Sequence, residues 1–419
     1  MISKSILYFC PENPFPPVSG DKIRIVNLIG ILAEHFDIDV LAYEPNDREG
    51  NQKPAMIPDN CRLHTVPSVN YKSWPLRIRS MLMRRNNSLL SHADLHLTTR
   101  IRQLSSMRQY DYVVVTHCYL GHLLPQLRKL QPSAVLITDA HNFETDLSRQ
   151  YALSQFSLLR KAYFLLASHW NKKLEESICE RTDLLFATSK LDADSFQALS
   201  PANKHKVHPI PNFIDARSYE SARIGEHGSK PPILIFTGTM SYFPNVNGVL
   251  YFYRSIYPLI KAALPDISWH IVGRDCHPDV AILADQDPSI VITGYVPDVG
   301  VYMRKASVVI VPLLEGGGTR LKVLEAWACG MPVVSTAKGA EGIACENDHD
   351  ICLADEPQAF ADAVVKLIRD RDFSIRIADN ARVQLLNLYE REAVRRRLLS
   401  HFGVESGNDV SSRERVNSR

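Results

Sequence analysis

The chain has 419 residues, more than one hydrophobic core usually organises, so two domains are expected. Apolar residues make up 45% and charged residues 22%, a soluble globular mix, and a net charge of +2 gives no concentrated basic field for nucleic acid. Eight scattered cysteines with no C-x-x-C pair argue against a zinc site or a disulfide framework and for a reduced, cytoplasmic setting.

Residues 1–10 carry too short an apolar run for a signal peptide, and nowhere do roughly 18 apolar residues run together as a membrane span. In the first half, short continuous apolar runs at 6–9, 38–42, 112–116, 134–138 and 184–187 read as buried strands. Helices are predicted over 22–34, 120–130 and 145–179, and Ser189 reads as the N-cap of a helix reaching Leu199. Residues 71–85 mix Trp74, Leu76, Ile78, Met81, Leu82 and Met83 with Lys72, Arg77, Arg79, Arg84 and Arg85. That composition suits a surface helix packed on the protein, or a basic amphipathic helix on a membrane surface, which would make the protein peripheral at the inner face of the plasma membrane.

The polar stretch 216–232, ending in Pro231 and Pro232, reads as a linker. The second half repeats the alternation, with strands at 233–237, 269–272, 290–293 and 308–311 and helices over 245–264, 319–329, 357–369 and 373–401. This organisation predicts an N-terminal domain over 1–218, a linker over 219–232 and a C-terminal domain over 233–385. A helix over 386–402 is expected to pack back on the first domain, and a polar tail over 403–419 to be disordered. The fold class is α/β, with two Rossmann-like, doubly wound parallel sheets facing a central cleft.

The residues that look chemical lie just after strands. Past the strand 308–311 comes Gly316-Gly-Gly-Thr-Arg-Leu-Lys-Val-Leu-Glu325, a glycine turn that opens a helix. Glycines let a ligand approach the backbone, and the start of a helix favours phosphate. Lys322 and Glu325, three apart, share one helix face, while Leu321, Leu324 and Ala328 form another for the core. Backbone donors, a cation and a carboxylate together suit a nucleoside diphosphate, and so does a plain tight turn with a surface Lys–Glu pair. No G-x-G-x-x-G follows the first strand and no P-loop is present. The D-x-D triplets beginning at Asp37, Asp192, Asp285, Asp348 and Asp370 read as solvated carboxylates, so no metal is expected.

These residues resemble glycosyltransferase family 4, the retaining GT-B enzymes, over nearly the whole chain. The resemblance is carried by Phe236-Thr-Gly-Thr-Met-Ser-Tyr-Phe-Pro-Asn245, Ile271-Val-Gly-Arg274, Thr293-Gly-Tyr-Val-Pro-Asp298, the glycine turn, and Cys329-Gly-Met-Pro-Val-Val-Ser-Thr336. Gly20-Asp-Lys-Ile-Arg24, Ala187-Thr-Ser-Lys190 and Pro211-Asn-Phe-Ile-Asp215 add to it, and the branch it looks most like is that of bacterial exopolysaccharide synthesis.

The resemblance implies a UDP- or GDP-linked sugar donor as substrate, no further cofactor, and a glycan or lipid-linked acceptor. It implies that Glu325 holds the donor ribose, and that Lys322 and Arg320, with Gly317, Gly318 and Thr319, hold the diphosphate. Gly294, Tyr295 and Val296 would face the base, and Gly20 would give the diphosphate room. His117, past the strand 112–116, and His141, past the next, are the candidates beside the transferred sugar. Two departures stand out. The family's second glutamate, eight residues before Glu325, is Gly317 here, and the sequence leaves open whether Glu315 replaces it. Where the family carries an Arg and a Lys after the first strand of the second domain, this chain has Thr239, Met240 and Asn245. A UDP-sugar epimerase and a non-catalytic glycan-binding protein are the rival readings of the same fold.

Overall fold

Apolar side chains on both faces suit a strand to the middle of a parallel sheet, and Ser5–Cys10 (β1) and Tyr112–Thr116 (β4) are buried along their whole length. The computed structural model describes residues 4–17, 19–44, 57–67, 95–153, 157–219 and 231–404, so the predicted helix over 71–85 and the tail beyond Val404 lie outside the described residues. The chain divides into two units, Met1–Ile210 and Pro211–Arg419.

In the first unit β1 is followed by α1 (Gly20–Leu32), β2 (Asp37–Glu44), β3 (Cys61–Pro67), α2 (Leu95–Met107) and β4. A 3-10 turn (Cys118–Leu123) then leads to α3 (Leu124–Leu130), β5 (Val135–Ala140), α4 (Glu144–Leu153), α5 (Leu158–Arg181), β6 (Leu184–Ala187), α6 (Lys190–Leu199) and β7 (Val207–Pro209). The strands pair in parallel in the order β3-β2-β1-β4-β5-β6-β7. The order reverses between β1 and β4, and ligands of such sheets bind beyond the carboxyl ends of the strands at that point.

The second unit repeats the plan. It holds β8 (Ile233–Thr237), α7 (Phe243–Tyr251), α8 (Tyr257–Ala263), β9 (Ser268–Val272), α9 (Pro278–Gln286), β10 (Ile290–Gly294), α10 (Val299–Met303) and β11 (Val308–Val311). Then come α11 (Leu321–Ala328), β12 (Val333–Ser335), β13 (Cys352–Leu353), α12 (Pro357–Arg369), α13 (Arg371–Leu388) and α14 (Arg391–Ser400). The parallel order β10-β9-β8-β11-β12-β13 reverses between β8 and β11. Its core joins Phe236, Trp269 and Ile310 of the sheet to Phe252, Trp327 and Phe360 of the helices.

Several expectations are corrected. The division falls after Ile210, not at 219–232, because Ile214 exchanges backbone hydrogen bonds with the α13–α14 junction: Ile214 N–H donates to Tyr389 O at 3.1 Å and Arg391 N–H to Ile214 O at 3.0 Å. The single helix expected over 386–402 is broken, its first residues ending α13 and the rest forming α14. The predicted helix over 145–179 is the hairpin of α4 and α5, and that over 245–264 is α7 and α8 joined by one π turn, Phe252–Ile256. There Pro258, in the first turn of α8, lacks the N–H that a continuous helix needs. The D-x-D carboxylates are not uniformly solvated. Asp39 is buried with Arg62, His64 and Tyr110 around it, and Asp350 is buried as well.

Candidate functional site

At the reversal point of the second unit the turns after β8, β9 and β11 come together. Gly238 N–H donates to Val272 O at 3.0 Å and Gly273 N–H to Gly294 O at 3.2 Å, so the first three strands are tied at their carboxyl ends. A Cβ on Gly273 would lie 1.7 Å from Gly238 O, so only glycine lets the two turns approach this closely. After β11, Gly316 and Gly318 take φ of +125° and +70°, turning the chain into α11. The helix begins at Leu321, not Thr319, with Arg320 as an extended N-cap. Arg320 therefore lies off the helical wheel, and its buried guanidinium donates to Gly317 O and Lys338 O. It fastens the glycine turn to the protein's own backbone. Thr319 is buried and its carbonyl accepts from Asn212 Nδ2 at 3.3 Å.

Lys322 and Glu325 stand one turn apart on α11, both partly buried. The ammonium of Lys322 lies 4.0 Å above the Phe236 ring and donates to Asn245 Oδ1 at 2.8 Å, while Asn245 Nδ2 donates to Thr239 O at 3.0 Å. Burial pulls the Lys322 amine down to about 7, with the Arg320 charge adding to the effect and Glu325 opposing it. Burial pushes the Glu325 carboxyl up to about 7 against the opposing Lys322 charge. Among the described residues Glu325 has no hydrogen-bond or ion-pair partner, so the two do not form the surface pair that their spacing allows. Beside them, Tyr295 is 65% exposed after β10, Gly294 takes φ +69°, and Val296 packs its side chain into the core.

In the first unit the register pairs Thr116 of β4 with Asp139 of β5, so residues just beyond these strands meet side by side. His117 and His141 accordingly meet with ring centroids 3.8 Å apart and planes tilted by 31°, and Tyr119 stacks on His117 at 5.0 Å. Both histidines are nearly buried. His117 sits at φ +62°, a conformation uncommon outside glycine and held here by its N–H donating to Asp139 O at 2.9 Å. Asp139 is fully buried, and Arg24 of α1 meets it with Nε 3.1 Å from each carboxylate oxygen and donates Nη1–H to Ile210 O at 2.9 Å. His141 Nε2 lies 3.2 Å from Asp139 Oδ2, an ion-pair distance without hydrogen-bond alignment. Burial alone would raise the Asp139 carboxyl; the Arg24 charge and His141 hold it below the ordinary carboxylate range. Gly20 opens the same helix, one turn before Arg24.

Two family models cover most of this chain: "Glycosyltransferase Family 4" matches residues 18–218 and "Glycosyl transferases group 1" matches residues 231–370. The chain belongs to glycosyltransferase family 4. Its structure is similar to sucrose-phosphate synthase from Thermosynechococcus elongatus, with a TM-score of 0.69 at 18% identity over 95% of this chain and 98% of that one. It is also similar to Anabaena HepE in complex with UDP and glucose, at a TM-score of 0.67 and 12% identity over 96% of this chain and 99% of that one. These likenesses give the GT-B fold. A relative in sequence is an uncharacterized 44.6 kDa protein in the cps region of Klebsiella pneumoniae, 21% identical over 390 residues, 90% of this chain and 94% of that protein.

Within this glycosyltransferase the departures from the family pattern have structural counterparts. Asn245, standing where an Arg–Lys pair is common, is the residue that holds the Lys322 ammonium. Glu315 is buried and accepts from Asn247 Nδ2 at 2.7 Å, while Gly317 itself presents no side chain. Sequence reasoning passed over Asn245, Asn247, Arg24 and Asp139 as working residues. The only available signal was their place at strand ends or inside a motif, since the Arg24–Asp139 pair spans 115 positions and the Lys322–Asn245 pair 77.

Proposed function

We propose that this glycosyltransferase moves a sugar from a nucleoside-diphosphate donor to a glycan or lipid-linked acceptor, with retention at the anomeric carbon, in the synthesis of a cell-surface polysaccharide. One observation carries the reading. Among the described residues Glu325 is a partly buried carboxylate without a hydrogen-bond or ion-pair partner, one turn from a partly buried amine, beyond the strand ends where doubly wound sheets bind nucleotides. A ribose with two hydroxyl donors and a diphosphate with anionic oxygens supply what these two groups lack. The UDP and glucose bound by HepE support the donor class, and the cps-region relative supports the polysaccharide setting.

In this mechanism charge builds on the departing diphosphate, and stabilising it is the main catalytic work. Lys322 supplies the cation, Arg320 keeps the glycine turn in shape, and the leaving phosphate oxygen takes the acceptor's proton. His117 and His141 are assigned to the transferred sugar, with Asp139 setting the orientation of His141. Calorimetry with UDP and GDP tests the donor site. One nucleotide should bind, and Glu325→Ala should weaken it by roughly tenfold to a hundredfold, the worth of a charge-assisted hydrogen bond. Unchanged affinity in the variant would remove Glu325 from the site. Tight binding without turnover on any acceptor would favour a non-catalytic glycan-binding protein.

The two perturbed groups predict a proton linkage that changes sign. At pH 8 the Lys322 amine, lowered to about 7, is mostly neutral, and an incoming diphosphate favours the ammonium, so binding takes up a proton. At pH 6 Glu325, raised to about 7, is mostly protonated, and ribose hydroxyls favour the carboxylate, so binding releases one. UDP-glucose is the suitable probe, because its diphosphate diester does not titrate in this range. Titrations in buffers of different ionisation enthalpy should show uptake above about pH 7 and release below it. Lys322→Met should abolish the first and Glu325→Gln the second. A linkage of one sign throughout would show that the pair does not meet the ligand.

A further inference from the structure

Helix α5 has one face paired and, among the described residues, one face bare. It runs antiparallel to α4, with Ser168 Oγ donating to Thr145 O at 2.9 Å, Asn171 Nδ2 to Ser148 Oγ at 2.9 Å, and Tyr151 packed edge-on against Phe164. Those contacts help bury Ala167, Ser168, Trp170, Asn171 and Glu175, and Ile178 further along packs into the core of the first unit. The opposite face begins with Leu158 and Leu159, 83% and 85% exposed, and continues through Ala162, Leu165 and Leu166 at helical spacing. Leu153, at the end of α4, is exposed at the same end of the hairpin. Single exposed leucines need no explanation, but five gathered on one hairpin end form an apolar patch of the kind that marks an interaction surface.

The charges beside the patch identify the partner. Lys161 flanks the first leucines, and exposed His169, Lys172 and Lys173 continue the bare face of α5. No Asp or Glu occurs between Ser157 and Lys173; Glu176 and Glu180 follow later, and on α4 Asp146 is paired with Arg149 at 3.7 Å. Two copies of this face would bring three cations against three, which disfavours self-association. A surface that is apolar below and anionic above satisfies both features, with the leucines at the acyl boundary and the long basic side chains reaching the headgroups. Among the described residues no helix is long and apolar enough to cross a membrane.

We propose that the bare face of α5, with Leu153, docks this protein on the surface of a bilayer containing anionic lipid. The proposal stands apart from the sugar-transfer reading, because its test needs neither donor nor acceptor. The full chain is sedimented with vesicles of phosphatidylglycerol and phosphatidylethanolamine, and with phosphatidylcholine vesicles, at low salt and at 0.5 M NaCl. Binding is expected to the anionic vesicles and to weaken with salt. Leu158→Ser with Leu159→Ser should lower the partition at least about tenfold, since each exposed leucine loses its burial in the bilayer. Lys172→Ala with Lys173→Ala should lower it by roughly tenfold or more, at about fivefold for each basic residue near an anionic surface. Melting temperature and nucleotide affinity should stay at wild-type values in both variants, which separates lost docking from lost folding. Three results would overturn the proposal: no binding by the wild type; α5 variants that bind as the wild type does while neutralising Arg77, Arg79, Arg84 and Arg85 abolishes binding; or a lipid-independent dimer that the leucine variant splits.

Discussion

Replacing Arg24 by methionine should lower the stability of the first unit by about 3–5 kcal/mol, the cost of leaving one partner of a buried ion pair uncompensated. The side chains of Arg24 and Asp139 are 1% and 0% exposed, so solvent cannot take over the lost contact. For a unit of this size the unfolding temperature should fall by roughly 10 °C. The pH dependence separates this from a packing effect. In the wild type the Asp139 pKa lies below its unfolded value, so the pair's stabilisation is present above the unfolded carboxylate pKa and is lost only as pH falls through the lower folded value. In Arg24→Met burial dominates and the Asp139 pKa rises above its unfolded value. The stability deficit should then grow as pH rises from acid to neutral. A deficit independent of pH would mean that the ion pair contributes nothing beyond shape. The double variant Arg24→Met/Asp139→Leu should regain much of the stability, because an apolar pair of similar volume often replaces a buried ion pair without loss. It should not regain sugar transfer, since His141 loses the carboxylate 3.2 Å from its ring.

Much of the fold was legible because parallel strands buried on both faces are continuous apolar runs. Tyr112–Thr116, Leu184–Ala187, Ile233–Thr237 and Val308–Val311 lie where such runs begin and end. Ser189 does accept from Asp192 N–H as an N-cap, and Pro357, at a helix start where its missing N–H costs nothing, marks the beginning of α12. The shorter and half-exposed strands lacked this signal. Cys61–Pro67 alternates buried and exposed residues and carries Arg62 and His64, whose partner Asp39 belongs to a neighbouring strand. Val207–Pro209, Val333–Ser335 and Cys352–Leu353 are two or three residues long and have no periodicity to read. The break between α13 and α14 likewise rests on the Ile214 backbone, far away in sequence.

The candidate site was legible as positions and not as pairings. Glycines after a strand, with Lys322 and Glu325 at helical spacing, locate a ligand end of the sheet. Spacing gave no hint that Lys322 turns to Asn245 and the Phe236 ring, which leaves Glu325 without a hydrogen-bond or ion-pair partner among the described residues. The helix expected from Thr319 also misplaced Arg320, because glycine torsions delay the helix until Leu321. His117 and His141 were found separately by their strand ends, and only the Thr116–Asp139 register explains why their rings meet. Long-range side-chain choices of this kind are made by packing, which local sequence does not encode.

Gly273→Ala should disable the second unit's site as well as destabilise it. The added Cβ would meet Gly238 O at 1.7 Å and Gly238 C at 2.7 Å, and both are backbone atoms that cannot rotate away. The φ of +156° at Gly273 adds strain for any side chain. Overpacking and strained torsions each cost about 1–3 kcal/mol, so a loss of roughly 3–5 kcal/mol is expected. Relief requires the β8 turn to move, and that turn carries Thr239 O, which holds Asn245, which in turn holds Lys322. Nucleotide affinity measured well below the melting temperature should therefore fall about tenfold or more, and proton uptake at pH 8 should shrink with it. Gly30→Ala provides the contrast: an alanine Cβ there meets nothing within 4 Å on α1, and helix propensity alone predicts a gain of about 0.5–1 kcal/mol. If Gly273→Ala melted and bound nucleotide like the wild type, the close approach of the two turns would not be what positions Lys322. If it lost stability but kept affinity, the β8 turn would be a packing element independent of the diphosphate.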